Sequence, residues 1–176
     1  KAINKWEKPI NESLQADLHK SYEEAYLTEV SIVKKEIRKH IRHLGRWSGR
    51  KRVAAPLTQF PSHSFMVTEP MGNALIIAPW NYPFQLLLNP LVGAISSGCT
   101  AILKPSPYVP HVSKVLQDMI DYTFDKNYIA LVQGHREVNQ ELLAQRFDLI
   151  FFTGSPRLGR SVMEAASKNL TPVILE

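Results

Sequence analysis

The stretch from Gly72 to Glu176 constrains this chain most. Short β-prone runs alternate there with helical ones. Asn73–Ala78, Thr100–Leu103, Tyr128–Val132, Leu149–Phe152 and Pro172–Leu175 read as strands. Between them Phe84–Ser96, Val112–Tyr122, Asn139–Gln145 and Leu158–Ser167 carry helical spacing, the first almost wholly apolar and therefore expected to be buried. Strands joined through helices in this way run parallel, and a parallel sheet needs helices over both faces. The expectation is an α/β fold: an open, mostly parallel sheet with helices on both faces, binding its ligand outside the carboxyl ends of the strands.

The preceding part reads differently. Leu14, Leu18, Ala25, Tyr26, Ile32, Val33, Ile37, Ile41 and Leu44 recur mostly at three- and four-residue intervals, which predicts helix over Asn11–Leu44. Ser21 followed by Glu24 is a capping box, so a break near Lys20 and a fresh start at Ser21 are expected. Gly45 and Gly49 close the helical region. Pro56, Pro61 and Pro70 then mark a connection holding one alternating, strand-like stretch, Ser64–Thr68.

Charge separates the same two parts. Lys1–Arg52 holds 13 Lys and Arg against 7 Asp and Glu, whereas Val53–Glu176 holds 8 against 9. A basic half raises nucleic acid or an anionic membrane surface as a partner. Lys34, Lys35, Arg38, Lys39, Arg42 and Arg46 nevertheless recur at helical spacing, as on the wet side of an amphipathic helix, and no aromatic residues interleave with them to stack bases. No nucleic-acid partner is expected. No apolar run approaches the roughly 20 residues of a membrane-spanning helix, and the N-terminus lacks the layout of a signal peptide. A single cysteine, Cys99, excludes an internal disulfide framework and a cysteine-based zinc cluster, and favours a reducing compartment. The six histidines show no metal-ligand spacing.

Polar groups gather at the ends of the predicted strands. The first strand runs into Pro79-Trp80-Asn81-Tyr82-Pro83, the second into Lys104-Pro105-Ser106-Pro107, the fourth into Thr153-Gly154-Ser155-Pro156-Arg157-Leu158-Gly159, and the last into Glu176. Gly154 and Gly159 bracket a helix start, where free N–H groups and the helix dipole suit an anion such as pyrophosphate. A tight strand-to-helix turn also uses glycine for steric reasons alone. Lys104 is either a donor to ribose hydroxyls or phosphate, or a lysine reaching out of the sheet rim. Asn81 either donates its carboxamide to an oxyanion or bonds its own backbone in a turn. Glu176 is either a general base or a rim charge. Cys99 precedes its strand and therefore belongs to the opposite end of the sheet, as a packed residue and not a nucleophile.

Four of these motifs in order, PWN at 79–81, KPS at 104–106, FTGS-x-x-x-G at 152–159 and LE at 175–176, resemble the NAD(P)-dependent aldehyde dehydrogenases. The stretch SYEEAYLTEVSIVKKEIRKHIRHLGRW is similar to the helical lead-in of the class 3, fatty and aromatic aldehyde branch. The resemblance implies oxidation of an aldehyde to an acid through a cysteine thiohemiacetal and thioester. The oxyanion-binding amide falls on Asn81, and the glutamate that activates water falls on Glu176. Cofactor contacts fall on Ala78, Pro79, Trp80, Lys104 and Ser106, and further along on Gly134, Gly154, Ser155, Leu158 and Gly159. It also implies a cytoplasmic homodimer and a division into an N-terminal helical segment (1–52), a connection with an oligomerisation-type strand (53–71) and a Rossmann-like cofactor domain (72–176).

Two departures bear on activity. Many relatives carry a glutamate three residues after the Lys104 position that grips the adenosine ribose. Pro107 stands there, so NADP is open alongside NAD. The family's nucleophilic cysteine has no counterpart, since Cys99 does not align with it. The expectation is a chain that lacks aldehyde oxidation on its own. Two other functions stay open at this point: a non-catalytic nucleotide-binding module, and a basic interaction domain.

Overall fold

A computed structural model describes residues 1–176. Its centre is a five-stranded parallel sheet, β3 (Asn73–Ile77), β4 (Thr100–Lys104), β5 (Ile129–Leu131), β6 (Leu149–Phe152) and β7 (Val173–Leu175), in the order β5-β4-β3-β6-β7. Successive residues of β3 point to opposite faces, as the pleat requires. Ala74 and Ile76 join the larger core, shared with α4 (Pro83–Ser96) and α5 (Pro110–Thr123). Leu75 and Ile77 join the smaller one, with Val162 and Ala166 of α7 (Pro156–Ser167) and Leu142 and Leu143 of α6 (Arg136–Ala144). Helices thus cover both faces, as the sequence predicts.

The helices α4, α5 and α7 each begin on a proline, Pro83, Pro110 and Pro156. The helical spacing in the sequence starts each of these helices one or two residues later, at Phe84, Val112 and Leu158. At the first helical position the missing N–H has no partner to lose and the fixed φ suits the helix, so proline starts the element.

The N-terminal part is longer than expected. Helix α1 spans Ala2–Leu18 and passes through Pro9, with Ile10 and Leu14 buried. Packing of this apolar face against α5 outweighs the hydrogen bond that Pro9 cannot make. The predicted break is present: His19 adopts φ 54°, and Ser21 caps the next helix by accepting from the Glu24 N–H at 3.2 Å. That helix runs as α2 (Tyr22–Ala25), a π-helical turn over Tyr26–Val30, and α3 (Ser31–Ser48). A second correction concerns Lys51–Val53. The sequence predicts no strand there, but it forms strand β1, antiparallel to β2 (Ser64–Met66). Every residue of β1 is exposed, so no alternation of apolar residues marked it.

Candidate cofactor-binding and active site

Parallel strands deliver their carboxyl ends to one edge of the sheet, and backbone hydrogen bonds continue past those ends. The Ala78 N–H donates to the Lys104 carbonyl at 3.2 Å and the Thr153 N–H to that of Ile77 at 3.1 Å. Beyond β6 and β7, the Glu176 N–H donates to the Phe152 carbonyl and the Gly154 N–H to the Glu176 carbonyl, both at 3.0 Å. The turns carrying Asn81, Lys104, Ser155 and Glu176 therefore lie along one rim. They flank the point where the chain direction of strand addition reverses, between β3 and β6, which is where open α/β sheets form their ligand crevice.

Exposure divides the candidate residues. Trp80, Asn81, Gly154, Ser155, Leu158 and Glu176 are exposed on the rim. Ala78, Lys104, Ser106 and Gly159 are buried, and Pro79 and Gly134 lie between. Lys104 does not reach out of the rim. It is 1% exposed, and its ammonium donates one hydrogen bond, to the Pro105 carbonyl at 2.8 Å. Burial holds that ammonium below the ordinary lysine value. Ser106 is engaged locally: its hydroxyl accepts from the Tyr108 N–H at 3.3 Å, and its carbonyl accepts from the Ser113 hydroxyl at 3.1 Å. Ser155 caps α7, accepting from the Leu158 N–H at 3.5 Å.

The glycines of the rim differ in kind. A Cβ on Gly154 would stand 2.6 Å from Cζ of Phe152, a buried ring, so the turn admits no side chain there. A Cβ on Gly159 would meet Leu175 and Phe152 at 3.7 and 3.8 Å, ordinary contact distances. Gly134 follows β5 with φ +148°, and a Cβ there would strike Val138.

The sequence reading missed Lys20 and Glu29. Glu29 lies on the π-helical turn and is completely buried, and Lys20 is 8% exposed. Their ion pair measures 2.5 Å. Glu29 Oε2 accepts from the N–H groups of Phe84 and Gln85 at 2.9 and 3.0 Å, at the start of α4 directly after the Asn81 turn. Lys20 Nζ donates to the Asn81 carbonyl at 2.9 Å. Burial holds the Glu29 carboxyl above the ordinary 4.5, although Lys20 and the two amides pull it down. Its neighbours are all donors, which only the ionised carboxylate satisfies. The one sequence signal belongs to Glu29, a charge falling on the apolar face of a helix; Lys20 lies in the break between α1 and α2 and carries none.

Two other clusters lie away from the rim. Cys99 precedes β4 and is buried, as expected. Burial pushes its thiol up, but the Ser97 hydroxyl and the backbone N–H groups of Gly72 and Met71 outweigh this and leave it below the ordinary value. His40 links Ser96 Oγ, at 2.6 Å, to Glu36 Oε1, at 3.0 Å, beside an apolar cavity of about 720 Å³ between α1, α3, α4 and α5. Ser96 ends α4, and the next three N–H groups, of Ser97, Gly98 and Cys99, already bond helix carbonyls. Nothing there is arranged to hold an oxyanion.

The strand order and the polar, glycine-bearing rim define a doubly wound type of α/β domain. The aldehyde dehydrogenase family profile matches residues 1–176, and the chain belongs to that family. It is 48% identical over 176 residues to 4,4'-diaponeurosporen-aldehyde dehydrogenase of Staphylococcus aureus, covering 100% of this chain and 38% of that protein. It is 44% identical over 167 residues to aldehyde dehydrogenase family 3 member B1 of Homo sapiens, covering 95% and 36% respectively, and is thus class 3-like. The substrate-bound Staphylococcus aureus AldH structure superposes with a TM-score of 0.97 at 48% identity, covering 99% of this chain and 38% of that one. Betaine aldehyde dehydrogenase from Staphylococcus aureus, solved in complex with NAD+, superposes at 0.79 with 26% identity, covering 99% and 34%. The chain thus spans little more than a third of the relatives it matches.

Proposed function

We propose that this chain is the N-terminal, cofactor-binding part of an aldehyde dehydrogenase that oxidises an aldehyde to a carboxylic acid with NAD(P)+. The observation that carries this reading is the family match over all of residues 1–176. NAD(P)+ supplies the hydride acceptor. The residues of this chain bind it and prepare the reacting carbonyl. Lys104 supports the assignment physically: its buried ammonium has three donors and uses one within the chain, and a ribose diol offers acceptors for the others. The N-terminus of α7, with Gly154 and Ser155, faces the same rim and offers N–H groups and a positive dipole end to a pyrophosphate. Gly134 and Leu158 border that crevice, and Ala78, Pro79, Trp80, Ser106 and Gly159 shape it. The Asn81 carboxamide donates to the oxyanion without exchanging a proton. Glu176, exposed at the end of β7, takes the proton from the attacking water. A cysteine outside these residues supplies the nucleophile. The exposed apolar side chains Val53, Phe65 and Met66 of β1 and β2 suit the dimer interface of a homodimer.

Titration of intrinsic fluorescence with NAD and with NADP tests the reading. Micromolar binding of at least one cofactor, lost in Lys104→Ala, is the expected result. No binding of either, or equal affinity in the variant, refutes it.

A further inference from the structure

The buried pair Lys20–Glu29 has no part in the reading above, yet its hydrogen-bond partners lie in the turn that bears Asn81 and in the first turn of α4 that follows it. Lys20 Nζ donates to the Asn81 carbonyl and stands 4.1 Å from the centroid of the Tyr82 ring. Glu29, paired with Lys20, accepts from the N–H groups of Phe84 and Gln85. Four of the five residues from Asn81 to Gln85 are thus gripped by two side chains that lie more than 50 positions earlier. The fifth, Pro83, has no N–H to offer.

Helix α4 also lacks a cap of its own. Tyr82 occupies the N-cap position and supplies no side-chain acceptor. Glu29 takes that role from another helix and sets a negative charge against the positive end of the α4 dipole. The π-helical turn that carries Glu29 admits one extra residue and rotates the side chains after it, which carries a charged residue into the packed face. An apolar pair of the same volume would join these segments without the cost of desolvating two charges. What an apolar pair would not do is hold a carbonyl and two amides at fixed distances.

We propose that Lys20 and Glu29 are positioning residues, which hold the Asn81 turn so that its carboxamide meets the oxyanion. This rests on the reading of Asn81 as the oxyanion donor. It predicts that the pair acts through Asn81 and on turnover, not on cofactor affinity.

The test is a double-mutant cycle in the full-length aldehyde dehydrogenase that contains this chain, with kcat and the KM for NAD(P)+ measured for each variant. Lys20→Met is expected to lower kcat about tenfold to a hundredfold, the scale on which misplacement by about 1 Å acts, with the KM for NAD(P)+ within about twofold. Lys20→Arg is expected to restore most of the loss. In an Asn81→Ala background, Lys20→Met is expected to lower kcat no further. Additive losses in the double variant overturn the proposal, as does unchanged turnover in Lys20→Met. Asn81→Ala with full turnover defeats the reading of Asn81 itself, and this proposal with it. Loss in Asn81→Ala beside an unaffected Lys20→Met defeats this proposal alone. Where Lys20→Met does not fold, Lys20→Gln carries the same comparison. Failure of both to fold assigns the pair to the scaffold and overturns the positioning role.

Discussion

Replacing Lys104 by methionine should stabilise the cofactor-free protein while weakening the cofactor complex. Lys104 closes β4, opposite Ile77, and is 1% exposed with one hydrogen bond from its ammonium. Exchanging a poorly compensated buried charge for an apolar side chain of similar volume is neutral or stabilising by up to about 4 kcal/mol. The lost charged hydrogen bond to Pro105 takes back part of that, about 1.5–3 kcal/mol. From the upper end of that range a net gain of about 1–2.5 kcal/mol is expected, which for a domain of this size raises Tm by roughly 2–10 °C. The pH dependence follows from the same burial. The native pKa lies below the ordinary 10.5, so between the two values the unfolded chain binds more protons than the native one. The penalty is fully present below the native pKa, and stability rises with pH through that window. Lys104→Met should lose this rise. Thermal melts at several alkaline pH values, with and without NAD, measure both effects, and a fluorescence titration gives the affinity. Loss of one charge-assisted hydrogen bond should weaken cofactor binding about 10- to 100-fold. A Met variant that melts lower without cofactor, or binds it as tightly as the parent, refutes the argument.

The two glycines of the β6–α7 turn should respond in opposite directions. Gly154→Ala must push the buried Phe152 ring aside and should lower stability by about 1–3 kcal/mol in thermal melts. Gly159→Ala meets only ordinary contacts inside α7 and should raise it by about 0.5–1 kcal/mol. Glu7 joins α1 to its neighbours through Lys34 and the Tyr22 hydroxyl, and these hydrogen bonds hold its carboxyl below the ordinary 4.5. Its contribution, about 1 kcal/mol or less for a pair near the surface, is present above pH 4.5 and is lost as pH falls through the lower native value. Urea unfolding at pH 3–7 should show a shallower acid slope in Glu7→Gln.

Much of this protein can be read from local pattern. The strand expected at Asn73–Ala78 is β3 at Asn73–Ile77, and that at Thr100–Leu103 is β4 at Thr100–Lys104. Each is a short apolar run bounded by turn residues, and its fate depends on neighbours close in sequence. The capping box at Ser21 and Glu24 is legible for the same reason. The alternation then determines the rest of the rim: strands crossing through helices must be parallel, so Asn81, Lys104, Ser155 and Glu176 share an edge before any coordinate is known.

Other features depend on contacts between distant segments, and no local pattern contains them. Residues 51–53 form a strand because residues 64–66 pair with them, not because their own sequence is β-like. Helix α1 survives Pro9 because α5 receives its apolar face. The neighbours of Lys104 in sequence describe only a strand end, which leaves open whether it reaches out of the rim or turns to a ligand. The layers above and below it bury it instead. Lys20 and Glu29 look like two more charges in a charged helical region. Only tertiary packing brings them to the Asn81 turn and the start of α4, 61 and 55 residues onward, where burial turns ordinary charges into fixed donors and acceptors. Pattern therefore determines the sheet and its carboxyl edge, since hydrogen-bonded periodicity is local. How deep a charge lies and what it holds are settled by the long-range contacts of the folded chain, since desolvation depends on every segment that packs around it.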